Sequence, residues 1–209
     1  MTRAIIFANG NFSDLSPAKK IIKKTDYLIA ADGGVNYLKK LKLMPDIVIG
    51  DMDSIKSELF KEYKSIKYPT KKDKTDFELT IDYCLEKKFR EIIIFGVLGD
   101  RIDHLMANIF LLAKIQTENP TIKIKVIEGK KEIFILNKEI VINGKIGDEI
   151  SIIPVGEKLE DILTDGLEYQ LDNESLLFGS TRGISNVMNK KLVKIKASAG
   201  IAMIEHNLQ

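Results

Sequence analysis

Asp46-Ile47-Val48-Ile49-Gly50-Asp51-Met52-Asp53-Ser54 is an apolar run that stops at a glycine and then delivers two carboxylates at positions i and i+2. The run reads as a strand, and the residues just past its end fall where an open α/β sheet builds its ligand crevice. In extended chain Asp51 and Asp53 point to the same side, toward one ion. The same residue types also serve as turn formers, and Ser54 is placed to cap a following helix.

Two further acidic clusters follow predicted strands, Lys72-Asp73-Lys74-Thr75-Asp76 and Gly99-Asp100-Arg101-Ile102-Asp103-His104. Carboxylates crowded into one crevice repel by roughly 4 kcal/mol per pair at 4 Å and an effective dielectric of 20, so a bound cation tends to hold them together. Mg²⁺ suits such a set, because it takes oxygen ligands from one or two carboxylates, substrate phosphates and water. Lys71, Lys72 and Lys74 add phosphate-seeking charge. The chain therefore reads as a Mg²⁺-dependent enzyme acting on phosphates, although Asp76 and Asp103 also suit the first turn of a helix on dipole grounds alone. Asp32, in Ala30-Ala31-Asp32-Gly33-Gly34, ends the second predicted strand. An acid there invites a dinucleotide reading, but Ala8-Asn9-Gly10-Asn11-Phe12-Ser13-Asp14 lacks the G-x-G-x-x-G spacing, and no P-loop is present.

The first part of the chain alternates apolar runs with amphipathic stretches, the pattern of a mostly parallel, Rossmann-like sheet flanked by helices. Six strands are expected, at residues 3–8, 27–31, 46–50, 65–68, 91–96 and 122–127. One helix is expected to start at Thr75, where Thr75 and Glu78 form a capping box, and another to run from Ile102 to Ile115 with Ile102, Leu105, Ile109 and Leu112 on one face. After Gly129 helical periodicity gives way to short β-type runs at 132–136, 139–142, 149–155, 167–171, 192–196 and 201–205, punctuated by glycine. An α/β domain over 1–128 and an all-β sandwich or barrel over 129–209 are therefore expected.

With 32 basic against 30 acidic residues there is no field of the kind that marks a nucleic-acid binder. Cys84 is the one cysteine, which excludes an intramolecular disulfide and fits a cytoplasmic setting. No apolar run is long enough for a membrane span. Only four arginines occur, and two of them, Arg101 and Arg182, sit inside motifs where a planar fork could pair with phosphate.

Taken in order, Ala31-Asp32-Gly33-Gly34, Gly50-Asp51-Met52-Asp53-Ser54, Lys72-Asp73-Lys74-Thr75-Asp76 and Arg101-Ile102-Asp103-His104 resemble thiamine pyrophosphokinase. So do Thr164-Asp165-Gly166-Leu167-Glu168-Tyr169-Gln170-Leu171 and Gly179-Ser180-Thr181-Arg182-Gly183-Ile184-Ser185-Asn186 in the second half, which look like that family's thiamine-binding β-domain. The resemblance implies a homodimer with shared active sites that moves the pyrophosphoryl group of ATP onto the hydroxyl of thiamine. It implies Asp51, Asp53 and Asp76 at Mg²⁺, Asp32 and Asp73 beside the triphosphate, Lys74 and His104 among the substrate-binding residues, and Asp76, Arg101 and Asp103 in catalysis. Ser180, Thr181, Arg182, Ser185 and Asn186 would bind substrate, with Ser185 and Asn186 against the aminopyrimidine. Animal members stack a tryptophan on thiamine, and this chain has none. A pterin pyrophosphokinase and a non-catalytic thiamine or nucleotide sensor are the rival readings.

Overall fold

The computed structural model describes residues 3–11, 14–51 and 63–209, so Met52, Asp53 and Ser54 lie outside the described residues. The chain divides into two compact units, Met1–Asn108 with Ile122–Gly129, and Ile109–Thr121 with Lys130–Gln209.

The first unit is built on β1 (Arg3–Phe7), β2 (Tyr27–Ala31), β3 (Ile47–Gly50), β4 (Ser65–Lys67), β5 (Glu91–Phe95) and β6 (Lys123–Glu128). They run side by side in the order β6-β5-β1-β2-β3-β4, and every pairing is parallel. All six expected strands form, with ends shifted by a residue or so. Four of them, β1, β2, β3 and β5, read as continuous apolar runs because both faces are covered. Ile5, Phe7, Leu28, Ala30, Val48, Ile93 and Phe95 share one cluster with Ala18 of α1 (Ser16–Ile21) and Val35 and Leu38 of α2 (Val35–Lys40). Phe7 and Phe95 stack inside it with ring centroids 5.1 Å apart.

Helix α3 (Asp76–Glu86) begins as its sequence dictates: the Thr75 hydroxyl accepts a hydrogen bond from the Glu78 amide at 3.1 Å. Phe77, Ile81 and Cys84 are buried along it, and burial pushes the Cys84 thiol up to about 12, so it stays protonated as an apolar filler. Helix α4 (Ile102–Glu118) extends three residues beyond the expected end. Ile102 departs from expectation: it is 79% exposed, because it sits at the first helical position, ahead of the turns that bury Ile109 and Leu112.

The second unit carries β7 (Lys131–Leu136), β8 (Glu139–Asn143), β9 (Glu149–Pro154), β10 (Lys158–Asp165), β11 (Asp172–Leu177), β12 (Asn186–Val187), β13 (Leu192–Lys196) and β14 (Ala202–Asn207). Two antiparallel arrays, β12-β9-β14-β7 and β11-β10-β13-β8, share one apolar cluster that includes Ile150, Ile152, Leu159, Ile162, Val193, Ile195 and Ile204.

The expected strand at 167–171 does not form. Leu167 makes an isolated bridge to Met188 and the rest is irregular. Its backbone groups are satisfied elsewhere: Leu171 donates to the Thr164 hydroxyl at 2.8 Å, and Glu168 donates to the Val187 carbonyl at 2.9 Å. The strands that do form on either side, β10 and β11, were not legible. A bulge between Leu159 and Ile162, with Asp161 at φ 47°, breaks the period of two in β10. Apart from its last two residues, β11 is polar throughout.

His206 is buried on β14 between two acids. Its Nδ1 lies 3.3 Å from Glu132 Oε2 of β7, and its Nε2 lies 3.0 Å from Asp148 Oδ2 just before β9. Asp148 also accepts the backbone amides of Lys145 and Gln209. Burial disfavours the imidazolium, but the Glu132 and Asp148 hydrogen bonds outweigh it, so His206 titrates above its ordinary 6.5. Asp148 is held below its ordinary 3.8: burial opposes this, and the two backbone amides and His206 overcome it.

A raised histidine stabilises the fold fully below its unfolded value, and that contribution is lost as pH rises through the folded value. The depressed Asp148 contributes above its unfolded value and is lost as pH falls through the folded one. The latch is therefore strongest at mildly acidic pH. His206→Gln should cost on the order of 2 kcal/mol at pH 6 and less at pH 9. Thermal melts at both pH values check this, and a penalty that does not change with pH would sink the charged-latch reading.

Candidate active site

The strand order of the first unit reverses direction at β1: β2, β3 and β4 lie on one side, β5 and β6 on the other. The adjoining carboxyl ends of β1 and β5 therefore mark the switch point of the sheet, where an open parallel sheet builds its ligand crevice. A cavity of about 650 Å³ sits there, lined by Asn9, Gly10 and Asn11 after β1, Asp32 after β2, Asp51 after β3, Thr70 to Phe77 without Lys71 from the β4–α3 connection into α3, and Gly96, Val97, Gly99, Asp100, Arg101, His104 and Asn108 from β5 into α4.

Three carboxylates converge in it. One oxygen each from Asp32, Asp51 and Asp76 lie within 4.8 Å of one another. Asp32 reaches this place at a backbone cost, since it holds a left-handed φ of 46° that a non-glycine residue adopts only when its surroundings impose it. The glycines around it are the means. A Cβ on Gly34 would stand 1.9 Å from the Phe7 carbonyl oxygen. On Gly50 it would meet Asp32 Cβ at 3.1 Å and Asp76 Cγ at 3.2 Å, tight contacts that glycine spares the two acids above β3.

Among the described residues the Asp32 carboxylate accepts one hydrogen bond, from Asn9 Nδ2 to Oδ2 at 3.3 Å. Its Oδ1 is buried with no hydrogen-bond partner among the described residues. Lys72 Nζ lies 2.8 Å from Asp76 Oδ1 and 3.4 Å from Asp51 Oδ2. The Asp76 contact is close in distance but not aligned as a hydrogen bond. An all-oxygen set of three carboxylates with an orphaned buried lone pair fits a hard divalent cation.

Asp73, Lys74, Arg101 and His104 line the same cavity. Lys74 turns along α3 to Asp82 at 2.6 Å and Glu78 at 3.7 Å. Arg101 pairs with Asp103 at 2.6 Å in solvent, and Asp103 is not part of the cavity wall. The Arg101 guanidinium hydrogen bonds hold the Asp103 carboxyl below the usual carboxylate range. Asp53 lies outside the described residues. The sequence reading missed Asn9, Asn11 and Asn108. Asn11 donates to Asp100 at 3.0 Å, and the buried Asn108 donates to the Val97 carbonyl at 2.8 Å. Asn9 stands two residues past the end of β1 at the reversal point, the one cue that marked it.

The second unit has a smaller cavity of about 240 Å³, lined by Ile152, Tyr169, Gln170, Leu171, Arg182, Gly183 and Asn186. Asn186 is buried, and its amide pairs with the main chain of Tyr169 in both directions. Oδ1 accepts from the Tyr169 amide at 3.0 Å, and Nδ2 donates to the Tyr169 carbonyl at 2.6 Å. The clamp leaves the Tyr169 side chain 68% exposed at the cavity. Arg182 pairs with Glu174 at 2.5 Å, and its amide donates to the Ser180 hydroxyl at 3.4 Å. Ser185 adopts φ 55° and donates its amide to Ser151 Oγ at 3.0 Å. Ser180, Thr181 and Ser185 are not part of the cavity wall.

Residues 18–126 match the thiamin pyrophosphokinase catalytic domain, and residues 137–202 match the thiamin pyrophosphokinase vitamin B1 binding domain. The chain is 33% identical over 165 residues to the thiamine pyrophosphokinase of Bacillus subtilis strain 168, a match that covers 76% of each. It is 27% identical over 211 residues to thiamin pyrophosphokinase 1 of Caenorhabditis elegans, covering 94% of this chain and 86% of that one. The crystal structure of a Bacillus subtilis thiamine pyrophosphokinase superposes with a TM-score of 0.84 at 28% identity over the whole of both chains.

Replacing Asn186 by alanine would leave the amide and carbonyl of Tyr169 unpaired, at a cost of about 1–3 kcal/mol. Hydrogen exchange at the Tyr169 and Val187 amides, both of which donate to Asn186 Oδ1, should accelerate in that variant while exchange in β1 and β5 stays unchanged. Unaltered protection at Tyr169 would refute the clamp.

Proposed function

The chain belongs to the thiamin pyrophosphokinase family, and from that membership we infer that it transfers the pyrophosphoryl group of ATP to the hydroxyl of thiamine, giving thiamine diphosphate and AMP. The observation that carries the reading is the convergence in one cavity of Asp32, Asp51 and Asp76, all three of which fall within the matched catalytic segment. On this reading residues 1–128 form a Rossmann-like ATP- and Mg²⁺-binding domain, which the parallel strand order with its reversal at β1 supports. Residues 129–209 form a β-sandwich that binds thiamine, which the vitamin B1 binding match supports.

Asp32, Asp51 and Asp76, with Asp53 from the adjoining segment, would hold Mg²⁺. The cation supplies neutralisation of phosphate charge. The protein's own part is positioning, since the thiamine hydroxyl must attack the β-phosphorus in line while AMP leaves. Lys72, Lys74, Arg101 and His104 border the space for the triphosphate, and Asp73 lies beside it. Lys74 and Arg101 each spend their charge on a carboxylate neighbour here, so engaging phosphate means exchanging that neighbour. Turning Arg101 away from Asp103 would return Asp103 toward ordinary basicity and let it take the hydroxyl proton; Asp76 is the alternative base. Asn186 and Ser185, with Ser180, Thr181 and Arg182 on the preceding turn, form the proposed thiamine-binding segment. Asn186 then contributes through the Tyr169 main chain that it holds in place.

We further propose a homodimer with shared active sites, working in the cytoplasm. Among the described residues no helix is long and apolar enough to cross a membrane.

Incubation with ATP, Mg²⁺ and thiamine should yield AMP and thiamine diphosphate, whereas a pterin alcohol should yield no AMP. Asp76→Asn and Asp53→Asn should each lower turnover by about a hundredfold or more without unfolding the protein. Normal Mg²⁺-dependent turnover in either folded variant would remove that residue from the metal set. In sedimentation the active species should be a dimer, and a fully active monomer would overturn the assembly.

A further inference from the structure

We propose that Lys72 is a built-in counter-ion of the acidic cleft: its ammonium holds the position of a divalent cation until nucleotide phosphates draw it out, which makes metal loading depend on nucleotide. This rests on the reading of Asp32, Asp51 and Asp76 as the metal cleft.

Lys72 is set apart from its neighbours by where it points. Lys71 is exposed, and Lys74 is turned along α3 to Glu78 and Asp82. The Lys72 side chain is only 14% exposed, and its ammonium lies 2.8 Å from Asp76 and 3.4 Å from Asp51. It therefore reaches two of the three acids whose oxygens gather within 4.8 Å. Among the described residues the Lys72 ammonium engages Asp76 and Asp51 but not Asp32, whose Oδ1 has no hydrogen-bond partner. A divalent ion in this cleft needs the oxygens that Lys72 now engages, and two cations in one cleft repel each other.

A lysine suits this exchange. Its compact charge rides on a four-carbon stem that can swing, and a phosphate oxygen is as good a partner for it as a carboxylate. The triphosphate that brings the metal would thus also supply the new partner for the displaced ammonium. By linkage, whatever factor nucleotide adds to metal affinity, metal adds to nucleotide affinity. The lysine turns two separate binding events into one coupled event.

Titration of Mn²⁺ alone into the intact, nucleotide-free protein, read by calorimetry, tests the idea. Lys72→Met should bind Mn²⁺ about tenfold more tightly than the unmodified protein, the size of one partly buried ion pair. Lys72→Arg, which keeps the charge, should stay near the unmodified value. Melting in chelator should show Lys72→Met less stable than the unmodified protein, with a larger rise on adding Mn²⁺. If Lys72→Met is poorly folded, Lys72→Gln takes its place. Equal or weaker Mn²⁺ binding in a folded neutral variant, with binding still lost in Asp76→Asn, overturns the counter-ion role and leaves the metal cleft standing. Unchanged Mn²⁺ binding in Asp76→Asn, or none in any variant, overturns the cleft and the proposal together.

Discussion

Three carboxylates brought within 4.8 Å of one another are the constraint on which the first unit depends. At that spacing each pair costs a few kcal/mol in a partly shielded site, so the fold has to impose the arrangement. It does so by placing each acid immediately past, or at the first turn after, an element with no freedom to retreat. Asp51 follows β3, Asp32 follows β2, and Asp76 opens α3 behind a Thr75 cap. The strands themselves are anchored by Ile5, Phe7, Val48, Ile93 and Phe95 packed against α1 and α2.

The local costs are visible next to that anchor. Asp32 sits at φ 46°, Gly34 backs onto the Phe7 carbonyl, and Gly50 leaves just enough room for two acid side chains to meet above it. Strain and like charge accumulate at one end of a sheet whose other residues form an apolar core with no unusual features. That division of labour is expected where a fold concentrates local strain and polar groups at a candidate functional site.

The second unit solves a different problem. Five of its cavity residues, Tyr169, Gln170, Leu171, Arg182 and Gly183, come from irregular segments that a sheet cannot hold by ladder hydrogen bonds, so side chains take over much of that task. Asn186 mimics a paired strand for Tyr169, Thr164 caps Leu171, and Asn189 donates to the Leu167 carbonyl at 2.9 Å. The His206 latch ties β14 to β7 and to the turn before β9, and Met188 donates in turn to the Asp148 carbonyl at 2.8 Å. The strand that carries Asn186 is thereby linked through backbone to a buried charge cluster.

Sequence by itself determined the parallel sheet, because runs such as Ile47-Val48-Ile49 and Ile92-Ile93-Ile94 have no polar position at which to expose a face. It determined the start of α3, because Thr75 and Glu78 are local partners three residues apart. It also marked Asp32, Asp51 and Asp76 as strand-end or helix-start acids. Only the tertiary structure decided that these three meet, that Lys72 enters the cleft while Lys74 turns away, and that Asp103 faces solvent with Arg101. It alone decided that 167–171 is a clamped loop flanked by the bulged β10 and the largely polar β11. The reason is range: a cap or an apolar run is settled within a few residues, whereas convergence of charges, choice of ion-pair partner and satisfaction of a loop's backbone depend on groups brought close only by folding.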